Sequence, residues 1–127
     1  PKLTVLSYPG SFAQIYSNLI LNSIRHGFEE WDKPKKIEIQ IERADDELII
    51  DYRDNGRGID PKILPRIFDP FVTSKRGQGG SGLGTHIIYN LVVQLMRGRI
   101  SCDSEVGLGA HFQIRLPLEE TASEGKA

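Results

Sequence analysis

Residues Leu48–Gly58 read LIIDYRDNGRG. The consecutive apolar residues Leu48, Ile49 and Ile50, followed by Tyr52, fit a strand near the middle of a sheet. Asp54-Asn55-Gly56-Arg57-Gly58 then ends that strand in a tight turn. Working backward, Ile37, Ile39 and Ile41 alternate with Glu38, Gln40 and Glu42, which predicts a half-buried strand. Ala44-Asp45-Asp46 turns that strand into the one at Leu48. Further back, Leu3 to Leu6 has β character and Pro9-Gly10 breaks it. Ser11 and Gln14 are spaced as a capping box, predicting a helix from there to about His26, stopped at Gly27.

Working forward, Asp60-Pro61 reads as the cap and first position of a short helix to about Ile67, kept brief or bent by Pro65. Phe68 to Gly82 reads as a loop. A second long helix is expected from about Gly84 to Met96, with Ile88, Leu91, Val92 and Leu95 at helical spacing. Arg99–Asp103 and His111–Leu116 read as strands around a turn at Glu105–Gly109. The order β-α-β-β-α-α-β-β, without internal repeats, argues for an α+β fold. Three helices cover one face of a mixed, mostly antiparallel sheet of about five strands. Residues 1–118 form one domain, and the small, charged residues 119–127 read as a disordered tail or linker.

Composition narrows the function. The chain has 127 residues, 39% hydrophobic and 26% charged, enough for one core. Sixteen Lys and Arg against seventeen Asp and Glu leave a net charge of −1, so no basic field marks a nucleic-acid or lipid surface. The mostly apolar run Ile87–Met96 is interrupted by Asn90 and Gln94, far below the roughly 20 residues that span a bilayer. A single cysteine, Cys102, excludes an internal disulfide and a cysteine metal cage, and points to a reducing compartment. The start at Pro1, without Met or signal peptide, reads as the start of a piece of something longer.

Three constellations carry chemistry. On the first helix, Phe12, Tyr16, Leu19, Ile20, Ser23 and Gly27 share the core-facing side. The opposite stripe holds Asn18 and Asn22, four apart and one turn above each other. That stripe is either a solvated helix face or a pair of neutral amide oxygens for a hard cation such as Mg²⁺. Asn is a poor interior helix residue, which weighs against mere solvation. Second, Asp54-x-Gly-x-Gly58 is either a self-capped turn or a carboxylate acceptor for the amine of adenine, with glycines letting a flat base approach the backbone. Third, Gly77-Gln-Gly-Gly-Ser-Gly-Leu-Gly84 holds five of the thirteen glycines and runs into a helix. It is either a flexible linker or a set of backbone amides for phosphate at a helix N-terminus. It is neither a Walker motif nor a dinucleotide fingerprint.

In this order and spacing, the motifs resemble the catalytic, ATP-binding domain of a sensor histidine kinase. These domains belong to a wider family with gyrase B, MutL and heat-shock chaperone ATPases. The stretch around Asn18 and Asn22 resembles the N box and Asp54–Gly58 the G1 box. Phe68-Asp69-Pro70-Phe71 resembles the F box, Gly80-Ser-Gly-Leu-Gly84 the G2 box, and Gly109–Pro117 the last strand. About Leu3 to Pro117 is covered.

The resemblance implies the two-layer α/β sandwich called the Bergerat fold, with a short ATP lid at about Phe71–Gly82, and Mg-ATP as cofactor. Asp54 would bond the adenine amine, with Gly56, Gly58 and Ile59 in the nucleotide-binding set. Asn22 would hold Mg²⁺, with Asn18 supporting the metal or its waters. Arg25, His26, Phe71 and Thr85 fall at further nucleotide-contacting positions. Lys75 would reach the γ-phosphate, and Gly80, Ser81, Gly82, Leu83 and Gly84 would cradle the phosphates. Thr85 stands where many members have Leu, and Ala110 where many have Thr beside the adenine-binding Asp.

In hydrolysing members a Glu occupies the position of Asn18 and activates water. Asn cannot act as that base, so the resemblance implies phosphoryl transfer. His26, His86 and His111 are followed by Gly27, Ile87 and Phe112, without the acidic residue that follows the family's acceptor histidine. The acceptor is therefore expected on a helical dimerisation domain N-terminal in the same polypeptide, with a response-regulator receiver domain downstream. The isolated chain is expected not to autophosphorylate. No nucleic-acid or direct membrane contact is expected, and the location is cytoplasmic, as part of a soluble or membrane-bound sensor. The alternatives are a related protein-serine kinase, a degenerate nucleotide-binding regulatory module, and a plain hydrolase.

Overall fold

The computed structural model describes residues 3–5, 9–69 and 85–120. Five strands form the sheet: β1 (Leu3–Val5), β2 (Ile37–Ala44), β3 (Glu47–Asp54), β4 (Arg99–Glu105) and β5 (Gly109–Glu120). The path runs β1-β5-β3-β2, with β4 also on β5. Every pairing among the described residues is antiparallel, where a mixed sheet was expected. Each of β2/β3 and β4/β5 is joined by a short turn, which can only connect antiparallel neighbours. Glu119 and Glu120 pair with Thr4 and Leu3, so β5 passes the boundary expected after residue 118 by two residues. The N-terminal strand supplies the backbone partners that hold those two residues in the sheet. The rest of the expected tail, 121–127, lies outside the described residues.

Among the described residues two helices cover one face. Helix α1 (Pro9–Asn22) starts two residues before the expected Ser11, because proline's fixed φ suits a first turn. It continues as a π-helical segment, Ser23–Gly27, in which the Phe28 N–H reaches back five residues to the Ser23 carbonyl at 2.7 Å. Helix α2 (Thr85–Tyr89) likewise passes into a π-helical segment, Asn90–Leu95. Where a third helix was expected from Asp60, the chain forms turns and a single 3₁₀ turn, Leu64–Arg66, around Pro65.

The core lies between these layers. Ile15 and Leu19 of α1 and Ile88, Val92 and Met96 of the second helical run meet Ile50 and Tyr52 of β3 and Phe112, Ile114 and Leu116 of β5. The strand residues come from one face, since Tyr52 pairs with Phe112 and Ile50 with Ile114 in register. Strand β2 was expected to be half buried. It is the edge strand, and Ile39 and Ile41 are 43% and 56% exposed because the core ends before reaching them. Only Ile37 packs on the core. The opposite face of β3 and β5 is polar: Asp51 accepts from His111 at 2.6 Å and from Gln113 at 3.1 Å. Cys102 packs at the core margin, and burial pushes its thiol up to about 12, so it stays protonated at neutral pH.

Candidate functional site: a cavity closed by Asp54

A cavity of about 530 Å³ opens between the end of α1, the turn after β3 and the start of α2. Asn22, Ser23 and His26 line it from the helix. Asp54, Ala110 and Phe112 line it from the sheet. Ile59, Ile63 and Ile67, with Val106, provide an apolar side.

Asp54 is the most constrained polar group here. Its Oδ1 accepts the Gly56 N–H at 3.0 Å and the Ala110 N–H at 3.2 Å. Its Oδ2 accepts the Ser23 hydroxyl at 2.7 Å. A carboxylate offers about four acceptor positions, so one remains. The turn that aims Asp54 is held by packing. The Arg57 N–H donates to the Gly27 carbonyl at 2.8 Å, and a Cβ on Gly56 would collide with that same carbonyl. Gly58, at φ +83°, would put a Cβ 2.5 Å from the Glu105 carbonyl. Both glycines are therefore needed for chain-on-chain contact, a reason different from the expected approach of a base. Gly58 lines the cavity and Gly56 does not.

Behind Asp54 stands a buried hydroxyl pair. The Ser23 and Tyr52 oxygens are 2.7 Å apart, and the Tyr52 hydroxyl lies 3.1 Å from the Leu19 carbonyl. Burial, with the Asp54 charge adding to it against the Ser23 hydrogen bond, pushes the Tyr52 hydroxyl up to about 12. Tyr52 is therefore a donor at neutral pH. Neither residue was assigned to the site from sequence. The available signal was Ser23 itself: a hydroxyl on an otherwise apolar helix face must find a buried partner.

Of the expected site residues, Asn22, His26, Asp54, Gly58, Ile59 and Thr85 meet at the cavity. Asn18, Arg25 and Gly56 do not line it. Asn18 lies one turn from Asn22, and the NH₂ groups of both amides are buried without a hydrogen-bond partner among the described residues. Phe71, Lys75, Gly80, Ser81, Gly82, Leu83 and Gly84 lie outside the described residues. Thr85 also fastens the two flanks of that stretch together: its hydroxyl donates to the Ile67 carbonyl at 2.6 Å. Beside it the His86 Nδ1 meets the Phe68 carbonyl at 3.3 Å. Phe68 packs on Tyr89 and Phe112. His111 is on the other face of the sheet, bonded to Asp51, away from the cavity.

No described cluster of three or more His, Cys, Asp or Glu could hold a metal. A divalent cation would have to use amide oxygens, water and a ligand's own oxygens, as Mg²⁺ does. The Asn18–Asn22 pair fits that chemistry. An amide whose NH₂ is unpaired can turn its oxygen inward without losing a hydrogen bond from that NH₂.

The family described as Histidine kinase-, DNA gyrase B-, and HSP90-like ATPase matches residues 8–120. The chain is similar to the alginate biosynthesis sensor protein KinB of Pseudomonas aeruginosa, 38% identical over 105 residues, covering 83% of this chain and 17% of that protein. It is also similar to sporulation kinase D of Bacillus subtilis, 38% identical over 100 residues, covering 79% of this chain and 19% of that protein. It thus spans less than a fifth of either protein. Among solved structures, the nucleotide-free catalytic domain of histidine kinase ThkA superposes with a TM-score of 0.73 at 25% identity, covering 89% of this chain and 71% of that one. Full-length ShkA in complex with AMPPNP gives 0.75 at 26% identity, covering 95% and 24%. The chain belongs to the histidine kinase-, gyrase B- and HSP90-like ATPase family, as an ATP-binding domain of the sensor histidine kinase kind.

Proposed function

We propose that this chain binds Mg-ATP in the cavity and presents the γ-phosphoryl group to a histidine on a separate helical dimerisation domain, as part of a two-component sensor kinase. The observation that carries this reading is Asp54: a carboxylate fixed by three donors, with one acceptor position left, at an apolar-sided cavity that Asn22 also lines. The open position accepts the adenine amine, and Ile59, Ile63 and Ile67 supply apolar surface for the base. Asn22, supported by Asn18, would hold Mg²⁺, which when bound neutralises phosphate charge. Their enclosed, unpaired NH₂ groups support that assignment. His26, Arg25 and Lys75 would face the phosphates, and the amides of Ser81 to Gly84 would cradle them.

Transfer forms a bond from the acceptor's ring nitrogen to the γ-phosphorus and breaks the bond to the bridging oxygen, releasing ADP. The domain's part is positioning and charge neutralisation. The Asn18 amide cannot take a proton from water, which favours transfer over hydrolysis. A receiver domain would take the phosphoryl group next. Among the described residues no helix is long and apolar enough to cross a membrane, and the reading places the domain in the cytoplasm.

Calorimetric titration of the chain with ATP, with and without Mg²⁺, tests this. Micromolar binding that Mg²⁺ tightens, with negligible phosphate release, is the expected result. Asn22→Ala should retain Mg-free binding and lose the tightening. Steady hydrolysis would move the chain to the ATPase branch, and absence of binding would defeat the reading.

A further inference from the structure

Granted the adenine reading of the cavity, on which it rests, we propose that Ser23 is a positioning residue for base recognition. Its hydroxyl occupies one side of Asp54 Oδ2, so that a single acceptor direction is left for an exocyclic amine. Oδ1 is already filled by the Gly56 and Ala110 N–H groups. Without Ser23, Oδ2 would offer two open positions, and water could compete with the base for either. With Ser23 at 2.7 Å, one position is closed and the other points along a fixed direction.

The proton inventory shows why Ser23 donates in this direction. The carboxylate cannot donate, so the Ser23 proton goes to Asp54. The Ser23 oxygen is then free to accept, and the Tyr52 hydroxyl at 2.7 Å supplies the proton. That one Tyr52 proton is shared with the Leu19 carbonyl, which it reaches at the longer distance of 3.1 Å. Two hydroxyl protons thus run one way, from Tyr52 through Ser23 to Asp54, and each link fixes the next. Ser23 is 2% exposed and opens the π-helical segment directly after Asn22. One helical turn therefore presents both the amide toward the metal side and the hydroxyl that orients the base acceptor.

A buried serine that merely satisfies its neighbours predicts something else: its loss would weaken every nucleotide alike. Titration of the 127-residue chain with ATP and with inosine triphosphate, whose purine carries an oxo group in place of the amine, separates the two roles. The parent should prefer ATP. Ser23→Ala should raise the ATP dissociation constant about tenfold, the scale of one hydrogen bond to a charged group. Inosine triphosphate binding should stay within about twofold of the parent's, since that ligand makes no amine contact. Equal weakening of both ligands, or an unchanged preference, overturns the proposal.

If Ser23→Ala fails to fold because the Tyr52 hydroxyl is stranded, the double variant Ser23→Ala/Tyr52→Phe removes both partners and should be tolerated. It should show the same reduced preference, and a parental preference in it overturns the proposal. A parent without any preference for ATP removes the adenine reading as well. A parental preference that survives in the variants leaves that reading standing and removes Ser23 alone.

Discussion

Asp51 and Asp54 lie three residues apart on β3 and project from opposite faces of the sheet. Both are shielded and both accept several hydrogen bonds, yet they do different things. Asp51 is held by side chains, His111 and Gln113 of β5, on the polar face. Asp54 is held by two backbone N–H groups and one small hydroxyl. Side-chain partners fill the space before a carboxylate, whereas backbone donors fix it from behind and leave the front open. Of the two, Asp54 lines the cavity beside α1 and Asp51 does not. The same residue type thus serves the sheet at one position and lines a cavity at the other.

The largest break in that contrast is expected from Asp54→Asn. The amide oxygen can still accept from Gly56 and Ala110, so the fold should hold. The NH₂ would replace Oδ2 and oppose the adenine amine, a donor facing a donor. A site that loses its one matched acceptor in this way should bind ATP roughly a hundredfold more weakly. Calorimetry on a variant with an unchanged urea midpoint measures this, and parental affinity would remove the adenine assignment.

Next comes Gly56→Ala, which disturbs what aims Asp54 rather than Asp54 itself. Its Cβ would meet the Gly27 carbonyl, a backbone atom that cannot swing away. The expected loss is about 2–3 kcal/mol of stability, as for overpacking in a core. Urea unfolding reads it, and a loss below about 0.5 kcal/mol would mean the turn docks on the π-helical segment with slack to spare.

Much of the architecture, and some of the residues that line the cavity, were legible in the sequence. Asp54 and Asn22 stood out because each interrupts a pattern: a carboxylate at a strand end, an amide on a helix where Lys or Glu would serve solvation better. Ser23 did not stand out, because helical periodicity placed it in the apolar stripe and its partners come from β3, about thirty residues on. The reason for Gly56 was hidden in the same way, since the obstructing carbonyl belongs to Gly27. Ile63, Ile67 and Val106 enter the cavity only through tertiary packing. The π-helical segments left no trace, because over five or six residues their periodicity is too close to that of an α-helix. The exposure of Ile39 and Ile41 follows from β2 lying at the sheet edge, and strand order is not written in alternation.

The smallest expected effect sharpens the other half of the contrast. Burial works to raise the Asp51 carboxyl. The hydrogen bonds from His111 and Gln113, with the His111 and Arg53 charges, outweigh it and hold the group below its ordinary value. A carboxyl lowered in the folded state contributes stability that is fully present above its unfolded value, about 3.9. That stability is lost as pH falls through the folded value. Asp51→Asn keeps an oxygen for the two donors and removes the charge, so at pH 7 it should cost about 1 kcal/mol. The gap between parent and variant in urea unfolding should then close as pH drops below about 4. Other carboxylates titrate in both proteins and cancel in the difference. A gap that stays constant down to acid would mean that the Asp51 charge adds nothing to the sheet. ATP affinity should be the same in both, because Asp51 lies on the face of β3 opposite the cavity.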